Sequence, residues 1–597
     1  MVQNRAFRLL LVNRGLLITF VTPLVFAPIP IVYQTSASKC LYIFLIMLVY
    51  TLSEALPLAI VGLLPSMAFP LLGIMDAATL GEAYFSDQLL FMIGVLTIAK
   101  AVERTDLHKR IVLRGLLIFG SSPYGILFGV FVISGFLSMW LPNMALVSMM
   151  LPIGEALGEE LDKQYSRPVG DMKTETEELR VLKANEDIVE NGNAVNVPKN
   201  LVAAEDKVEK DGTEGRGGND VRKKSALTTI LLLTIVYGNT IGGTATLIGT
   251  LLPILANAQL LRFYGPRSVI EFDLWIQFGF PLQLASLLCA YVWMAFLMTR
   301  TLKTMRTAKR NSSTVESAAY QGNGSHKSTH ESDNVRLAIK REYAKLGGLK
   351  WSEAVTIILI LAYILLLFFA DLKFMKGWKS LFPKGYTSNT CITSGLAILF
   401  FIIPLERPNC RTPSDTGKLK TVLEWDYVSR KLPWGLLLIT GGYFALAEAI
   451  QDSGISGSIE EYFRYYFADQ ESWVIVLALT VVLAAMTELI GNIPVWMVTF
   501  PILASLARAT STNPLFYVIP SVFAVNLTFM LPISGVPFML VYTAGVKLGD
   551  IVKTGWVMNI ICLFLLNLFV NTFGYIIFDF GTVPSWALPD NSTASIP

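Results

Sequence analysis

From Leu16 onward, long apolar runs alternate with short polar connections, a pattern that predicts a chain of membrane helices. A hydrocarbon core of about 30 Å takes about 20 apolar residues in helical form. Single spans are read at Leu16 to Tyr33, Cys40 to Leu64, Gln88 to Val102, Phe272 to Met298, Ala354 to Ala370, Ser394 to Leu405, Leu432 to Ile450 and Trp556 to Phe578. The Pro-, Gly- and Met-rich segment Pro65 to Asp87 reads as an irregular or amphipathic connection. The charged run Lys100, Glu103, Arg104, Asp106, Lys109, Arg110 and Arg114 reads as a solvated cytosolic loop by its Lys/Arg excess.

Two stretches break the pattern in the same way. Gly115 to Leu161 is apolar for too long to be one helix, and a crossing helix followed by a re-entrant hairpin fits it better. Inside it, Ser138 stands five positions before Asn143 and Pro152-Ile153 begins nine positions after it; inside Ser472 to Leu506, Thr487, Asn492 and Pro501-Ile502 repeat that spacing. Each Asn follows a Pro or a Gly, Pro142 or Gly491, which describes a helix broken at mid-membrane in both halves of the chain. Non-helical backbone at that depth is tolerated only where protein or a wet cavity surrounds it. Paired interruptions of this kind point to a transporter binding site.

A broken helix offers N–H groups that suit an anion and free carbonyls that suit Na⁺. An Asn at the break can ligate sodium with its oxygen and donate to a carboxylate with its NH₂. Asn143 and Asn492 are therefore the leading site candidates, against the alternative of interhelical glue. Ser225 to Ala258 carries Ile241-Gly242-Gly243-Thr244-Ala245-Thr246, which reads either as close helix packing or as unwound backbone that coordinates a cation. Pro532 and Pro537, within the run Phe516 to Ala544, mark its second-half counterpart or a simple proline kink. Glu54, Glu448 and Glu488 are carboxylates in or near the membrane with no partner evident from sequence.

Composition narrows the class. Of 597 residues, 53% are hydrophobic and 16% charged, and the mean hydropathy of +0.54 marks a polytopic membrane protein. A net charge of +3 spread among loops gives no nucleic-acid footprint. The five cysteines are scattered singly and only three histidines occur, so a disulfide framework, a zinc site and histidine catalysis are all disfavoured. The isolated glutamates likewise argue against a membrane-embedded enzyme. Asp162 to Lys224 and Arg300 to Lys350 are polar and read as cytosolic loops, leaving the sequons at Asn311 and Asn323 unused. The Arg5, Arg8, Arg14 cluster reads as a signal anchor with a cytosolic N-terminus. An odd number of spans then places the C-terminus outside, where Asn591 is a glycan acceptor.

The chain resembles the divalent-anion:sodium symporter family, the animal sodium-coupled dicarboxylate, citrate and sulfate transporters. The matching stretches include Gly73-Ile74-Met75-Asp76, Ala101-Val102-Glu103-Arg104, Phe136-Leu137-Ser138-Met139-Trp140, Ile241 to Leu247, Leu432-Pro433-Trp434, Phe529-Met530-Leu531-Pro532 and Val552-Lys553-Thr554-Gly555, in the family's order. The resemblance implies an all-α membrane protein of about 11 transmembrane helices, with two inverted repeats, re-entrant hairpins and an elevator-type transport domain moving against a dimerising scaffold. It implies substrate contact at Asn143 and Asn492 and their neighbours Pro142, Met144, Gly491 and Ile493. Sodium would bind at Ser138, Asn143, Gly242, Thr244, Thr487, Asn492 and Pro532, with no cofactor beyond the coupling ion and no catalytic residue.

Where the family has Ser and Thr flanking Asn, however, this chain has Pro142 and Met144 at one tip and Gly491 and Ile493 at the other. Leu251-Leu252-Pro253 and Gly535-Val536-Pro537-Phe538 also replace polar family motifs. A lost hydrogen bond to a charged group is worth roughly 1.5 to 3 kcal/mol, so two losses predict on the order of a hundredfold in affinity or more. The expectation is a sodium-coupled carrier of di- and tricarboxylates in the plasma membrane. A carrier of another anion such as sulfate, or a regulatory membrane protein without transport, is the alternative. The expected divisions are 1–161, with the first hairpin; 162–224, a loop; 225–299; 300–350, a loop; 351–580, the second repeat; and 581–597, an extracellular tail.

Overall fold

The computed structural model describes residues 14–53, 55–119, 122–141, 143–166, 224–313, 336, 339–341, 343–370, 377–383, 386–407, 420–467 and 470–587. Among these the chain is helical, without a strand, and eight helices are long and apolar enough to cross a membrane. It opens with α1 (Arg14–Phe26), α2 (Pro28–Tyr33), α3 (Ser36–Ser53), α4 (Leu58–Leu72) and the short α5 (Ala77–Tyr84). A series follows: α6 (Asp87–Arg104), α7 (Leu107–Phe119), the hairpin arms α8 (Pro123–Ser138) and α9 (Asn143–Ser166), α10 (Ala226–Gly242), α11 (Leu251–Tyr264) and α12 (Phe272–Ser313). After α13 (Trp351–Phe368), α14 (Asn389–Ile402) and α15 (Trp425–Lys431), the same order returns. It runs α16 (Trp434–Asp452), α17 (Ile455–Phe467), α18 (Ser472–Ile490), α19 (Asn492–Ala509), α20 (Pro514–Asn526), α21 (Val536–Thr543) and α22 (Leu548–Phe569), which ends in a π-helical turn and α23 (Tyr575–Phe578).

The two series correspond element by element. A short helix of 13 residues, α7 or α17, precedes each hairpin; at 1.5 Å per residue it is about 20 Å long and cannot span the core. Along α12, Leu284, Leu288, Val292 and Phe296 are exposed, and along α22 Trp556, Ile560, Phe564 and Leu568 are exposed. Four-residue spacing puts each set on one helix face, a lipid-facing stripe repeated in both halves.

Small residues and local caps set the packing. Gly62 of α4 and Gly442 of α16 cross so closely that a Cβ on Gly442 would lie 2.2 Å from the Gly62 carbonyl oxygen. Ser122 caps α8 by accepting from Gly125 N, with Pro123 in the first turn, and Ser225 caps α10 by accepting from Thr228 N. The helices form two packed groups. One contains α3, α4, α5 and α16, together with α6 and α14; the other holds the hairpins with α10, α12, α20, α21 and α22. Between them α11 packs on α16 and α6, and Arg262 of α11 ion-pairs with Glu448 of α16.

Several expectations are corrected. Cys40 to Leu64 is not one span: the chain breaks between Ser53 and Leu58, and α4 continues through Pro65 and Pro70 to Leu72 where a connection was expected. In place of irregular chain, Asp76 caps α5 by accepting from Ala78 N and Thr79 N. Among the described residues no separate crossing helix precedes the first hairpin, and the 13-residue α7 takes its place. The charged run is not a solvated loop either. Arg110 of α7 is buried, ion-paired with Glu353 of α13 at 2.9 Å, and donates to the carbonyls of Leu346, Gly347 and Gly348. The span expected to end at Met298 continues as helix to Ser313.

Candidate functional site

The first break lies where the tip between α8 and α9 meets the unwound stretch between α10 and α11. Ser138 ends α8 and Asn143 begins α9, and the Ser138 hydroxyl is 2.9 Å from Asn143 Oδ1 and also within hydrogen-bond reach of the Asn239 carbonyl oxygen. A hydroxyl has one proton to give. Two acceptor oxygens, Asn143 Oδ1 and the Asn239 carbonyl, therefore share one donor. Both side-chain polar atoms of the fully buried Asn239 also lack a hydrogen-bond partner among the described residues.

Glycine makes the convergence possible. A Cβ on Gly243 would lie 2.7 Å from Asn143 Oδ1 and 3.0 Å from Ser138 Oγ, and one on Gly249 would lie 2.5 Å from the Gly243 carbonyl oxygen. Gly242 approaches Gly135 of α8 just as closely. After α10 the backbone passes through a single 3₁₀ turn, Gly243–Ala245, and then extends. Thr244 donates to the Ile241 carbonyl and its own carbonyl accepts from Trp275 Nε1, while Thr246 donates to the Met139 carbonyl of the tip. The glycines of this segment pack closely and its backbone is unwound.

The second break is built differently. Gly491, the sole residue between α18 and α19, has φ +105°, a conformation L side chains rarely adopt. Thr487 donates to Leu483 O within its own helix rather than toward the tip, and Asn492 Oδ1 accepts from the neighbouring Ile493 N. The carboxylate of Glu488 occupies the centre. It is 6% exposed and accepts from Phe529 N, Met530 N and Leu531 N of a second unwound stretch, between α20 and α21, and from Asn559 Nδ2 of α22, at 2.6 to 2.9 Å. Pro532 begins a 3₁₀ turn immediately after these residues. The chain's own carboxylate thereby takes the N–H groups that a broken helix would present to an anion.

Of the expected residues, the structure brings Ser138, Asn143 and the Gly242 to Thr246 segment together. No hydrogen bond joins Thr487 to Asn492. A bond of 3.3 Å from Asn526 Nδ2, at the end of α20, to Thr250 Oγ1 links the second half to the first unwound stretch. Met144 at the first tip is 55% exposed, while Ile493 is half-buried and Gly491 buried. Pro142 and Asn591 lie outside the described residues, as does Glu54. Sequence reasoning missed Asn239 and Asn559 and left Glu488 without a partner. Asn239, a membrane-depth amide three residues before the glycine pair, carried the clearest available signal.

The chain matches the model of the sodium:sulfate symporter transmembrane region over residues 9–580. It is 32% identical over 592 residues to the human Na(+)/dicarboxylate cotransporter 3, covering 96% of this chain and 94% of that one. It is 31% identical to the Na(+)/citrate cotransporter of Rattus norvegicus, covering 96% and 97%, and 30% identical to human solute carrier family 13 member 1, covering 99% and 100%. With a match across nearly the whole membrane portion, this multi-pass chain is a transporter rather than an enzyme and belongs to the sodium:sulfate symporter family.

Proposed function

We propose that the chain is a sodium-coupled secondary active transporter of di- and tricarboxylates such as succinate and citrate. The observation that carries the sodium part is the donor deficit at the first break, where Ser138 Oγ, Asn143 Oδ1 and the Asn239 carbonyl face one another with a single proton. Sodium there, with Gly242 and Thr244 as the adjoining backbone, would relieve the repulsion among these oxygens and order the first tip. A second sodium would sit near Thr487, Asn492 and Pro532. The anion would bind between the tips, against the amides of Asn143 and Asn492, with Pro142, Met144, Gly491 and Ile493 as neighbours. Relatives at 31 to 32% identity that carry dicarboxylate and citrate in their names support that substrate class.

Transport then follows by alternating access, the hairpin group moving against the group built on α4 and α16. That movement separates Arg262 from Glu448. The reading places the carrier in the plasma membrane as a homodimer, with a cytosolic N-terminus and an extracellular C-terminus. The exposed Met144 favours one second reading, a carrier whose anion differs from that of these relatives, sulfate included. Uptake of radiolabelled succinate, citrate and sulfate by cells expressing the chain, in sodium and in choline medium, tests both. Sodium-dependent succinate or citrate uptake is expected. Sodium-dependent uptake of sulfate alone would replace the substrate assignment. No uptake of any of them, from protein shown to reach the surface, would leave a membrane protein without this transport.

A further inference from the structure

Thr250 stands at the N-cap position of α11 with extended backbone, yet its side chain makes no capping hydrogen bond. A threonine there ordinarily accepts from a backbone N–H of the first turn. Its hydroxyl oxygen accepts instead from Asn526 Nδ2 at 3.3 Å, from the other half of the chain. Asn526 is the last residue of α20 and is 8% exposed, and its Nδ2 also reaches the Val522 carbonyl one turn back. One hydrogen bond thus joins the end of the first unwound stretch to the residue from which the second departs.

Each end of that bond is packed against a break. On the first side, a Cβ on Gly243 would lie 2.7 Å from Asn143 Oδ1, 2.7 Å from Thr250 Cγ2 and 3.0 Å from Ser138 Oγ. The Gly243 backbone therefore fills the space between the tip's polar atoms and the Thr250 side chain. Gly249 packs as tightly on the Ser138 carbonyl oxygen, where a Cβ would lie 2.8 Å away, and its N–H donates to Thr246 Oγ1. Close-packed atoms leave no slack, so a shift of the tip moves Thr250. On the second side, the N–H groups of Phe529, Met530 and Leu531, a few residues beyond Asn526, are held by Glu488. The second tip packs on the same stretch, since a Cβ on Gly491 would lie 3.2 Å from the Ile533 carbonyl oxygen. A displacement of Asn526 therefore reaches both the clamp and the second tip.

Tyr237 of α10 also meets the second stretch, its ring 5.5 Å from that of Phe529. A ring contact weakens gradually as the rings slide, whereas a hydrogen bond is either made or broken. Coupling between sites needs an element with two discrete arrangements. We propose that Thr250 and Asn526 are positioning residues that join the two breaks, so that sodium held at the first orders the backbone of the second. The proposal rests on the sodium reading of the first break. By linkage, the factor by which sodium favours the ordered second break is the factor by which that order favours sodium. A neutral hydrogen bond sets it at about two- to tenfold.

Hydrogen–deuterium exchange of full-length purified protein, in sodium or in choline chloride, reads the joint. The amides of Phe529, Met530 and Leu531 are followed by mass spectrometry of peptides across 526–534. Sodium is expected to slow their exchange in the wild type and in Thr250→Ser, which keeps the hydroxyl. In Thr250→Val, which replaces only the hydroxyl, and in Asn526→Ala, the slowing should shrink by about two- to tenfold, and ²²Na⁺ binding should weaken by the same factor. The double variant should behave as either single variant does, because both remove one interaction. Ser138→Ala should raise the sodium concentration needed for slowing by about tenfold. If Ser138→Ala does so while Thr250→Val and Asn526→Ala keep the wild-type slowing, the proposal alone is overturned, and the coupling passes to the Tyr237 contact or to sodium at the second break itself. An unchanged concentration in Ser138→Ala would overturn the sodium reading of the first break and the proposal with it. Exchange that is equal in sodium and choline in the wild type would also overturn the proposal.

Discussion

Glu488 is the residue whose removal should tell most about how the second break is held. Its two carboxylate oxygens serve three consecutive backbone N–H groups and one side-chain amide, at membrane depth where water does not replace them. In Glu488→Gln the amide oxygen can still accept where Oε1 stood, but the NH₂ meets Leu531 N, donor against donor. The loss is one charge-assisted bond, roughly 1.5 to 3 kcal/mol, plus a buried unpaired N–H at about 1 kcal/mol or more. Glu488→Ala orphans all four donors, about 3 to 5 kcal/mol by analogy with a broken buried pair. For a chain this long, each kcal/mol is expected to lower the apparent melting temperature by roughly 1 to 2 °C. Thermal denaturation of detergent-solubilised protein, read by the loss of the monodisperse size-exclusion peak, should therefore rank wild type above Gln and Gln above Ala. Asn559→Ala in the Glu488→Ala background should cost less than it does alone, because the two share one interaction. A Gln variant that melts with wild type, or fully additive Asn559 and Glu488 effects, would refute the clamp.

Three further outcomes follow from the geometry. Gly243→Ala places a Cβ 2.7 Å from Asn143 Oδ1, so sodium activation of uptake should need severalfold more sodium at unchanged surface expression, measured by sodium titration and surface biotinylation. Arg110→Ala leaves Glu353 buried and unpaired, a loss of about 3 to 5 kcal/mol that thermal denaturation should register, whereas the surface pair Arg430 with Asp426 should cost less than about 1 kcal/mol when broken. His108 is buried, its Nδ1 3.0 Å from the Val102 carbonyl oxygen, and burial lowers its pKa below the ordinary 6.5. The unfolded chain therefore binds a proton below about 6.5 that the folded chain refuses. His108's share of stability is complete above that pH and is lost as pH falls toward the depressed value. Melting temperature should drop between pH 7 and pH 5 in the wild type and drop less in His108→Gln.

The broken helices were legible because a break needs particular residues. Gly491, the Gly242-Gly243 pair and the Asn at each tip are types that a continuous apolar helix does not require, and the second appearance of the spacing ruled out accident. The all-helical class followed from hydropathy alone. The continuation of α4 past Leu64 was missed because Pro65 and Pro70 read as loop signals, while helix neighbours let α4 keep them. Arg110 looked solvated because its carboxylate partner, Glu353, is 243 positions away, a separation that a single sequence does not bridge. Glu488 escaped for a related reason: three of its four partners are backbone N–H groups, which every residue but proline carries and which no motif can announce.

The central claim is that the first break cages sodium, and it can be tested without knowing the transported anion. Binding of ²²Na⁺ to purified protein should be measured by scintillation proximity for the wild type, Ser138→Ala and Asn143→Ala, each checked for a wild-type size-exclusion profile. Saturable binding that weakens by about tenfold or more in both variants is the predicted result, as expected for loss of a ligand to a charged group. Wild-type affinity in both variants would contradict it and place the coupling ion elsewhere in the chain.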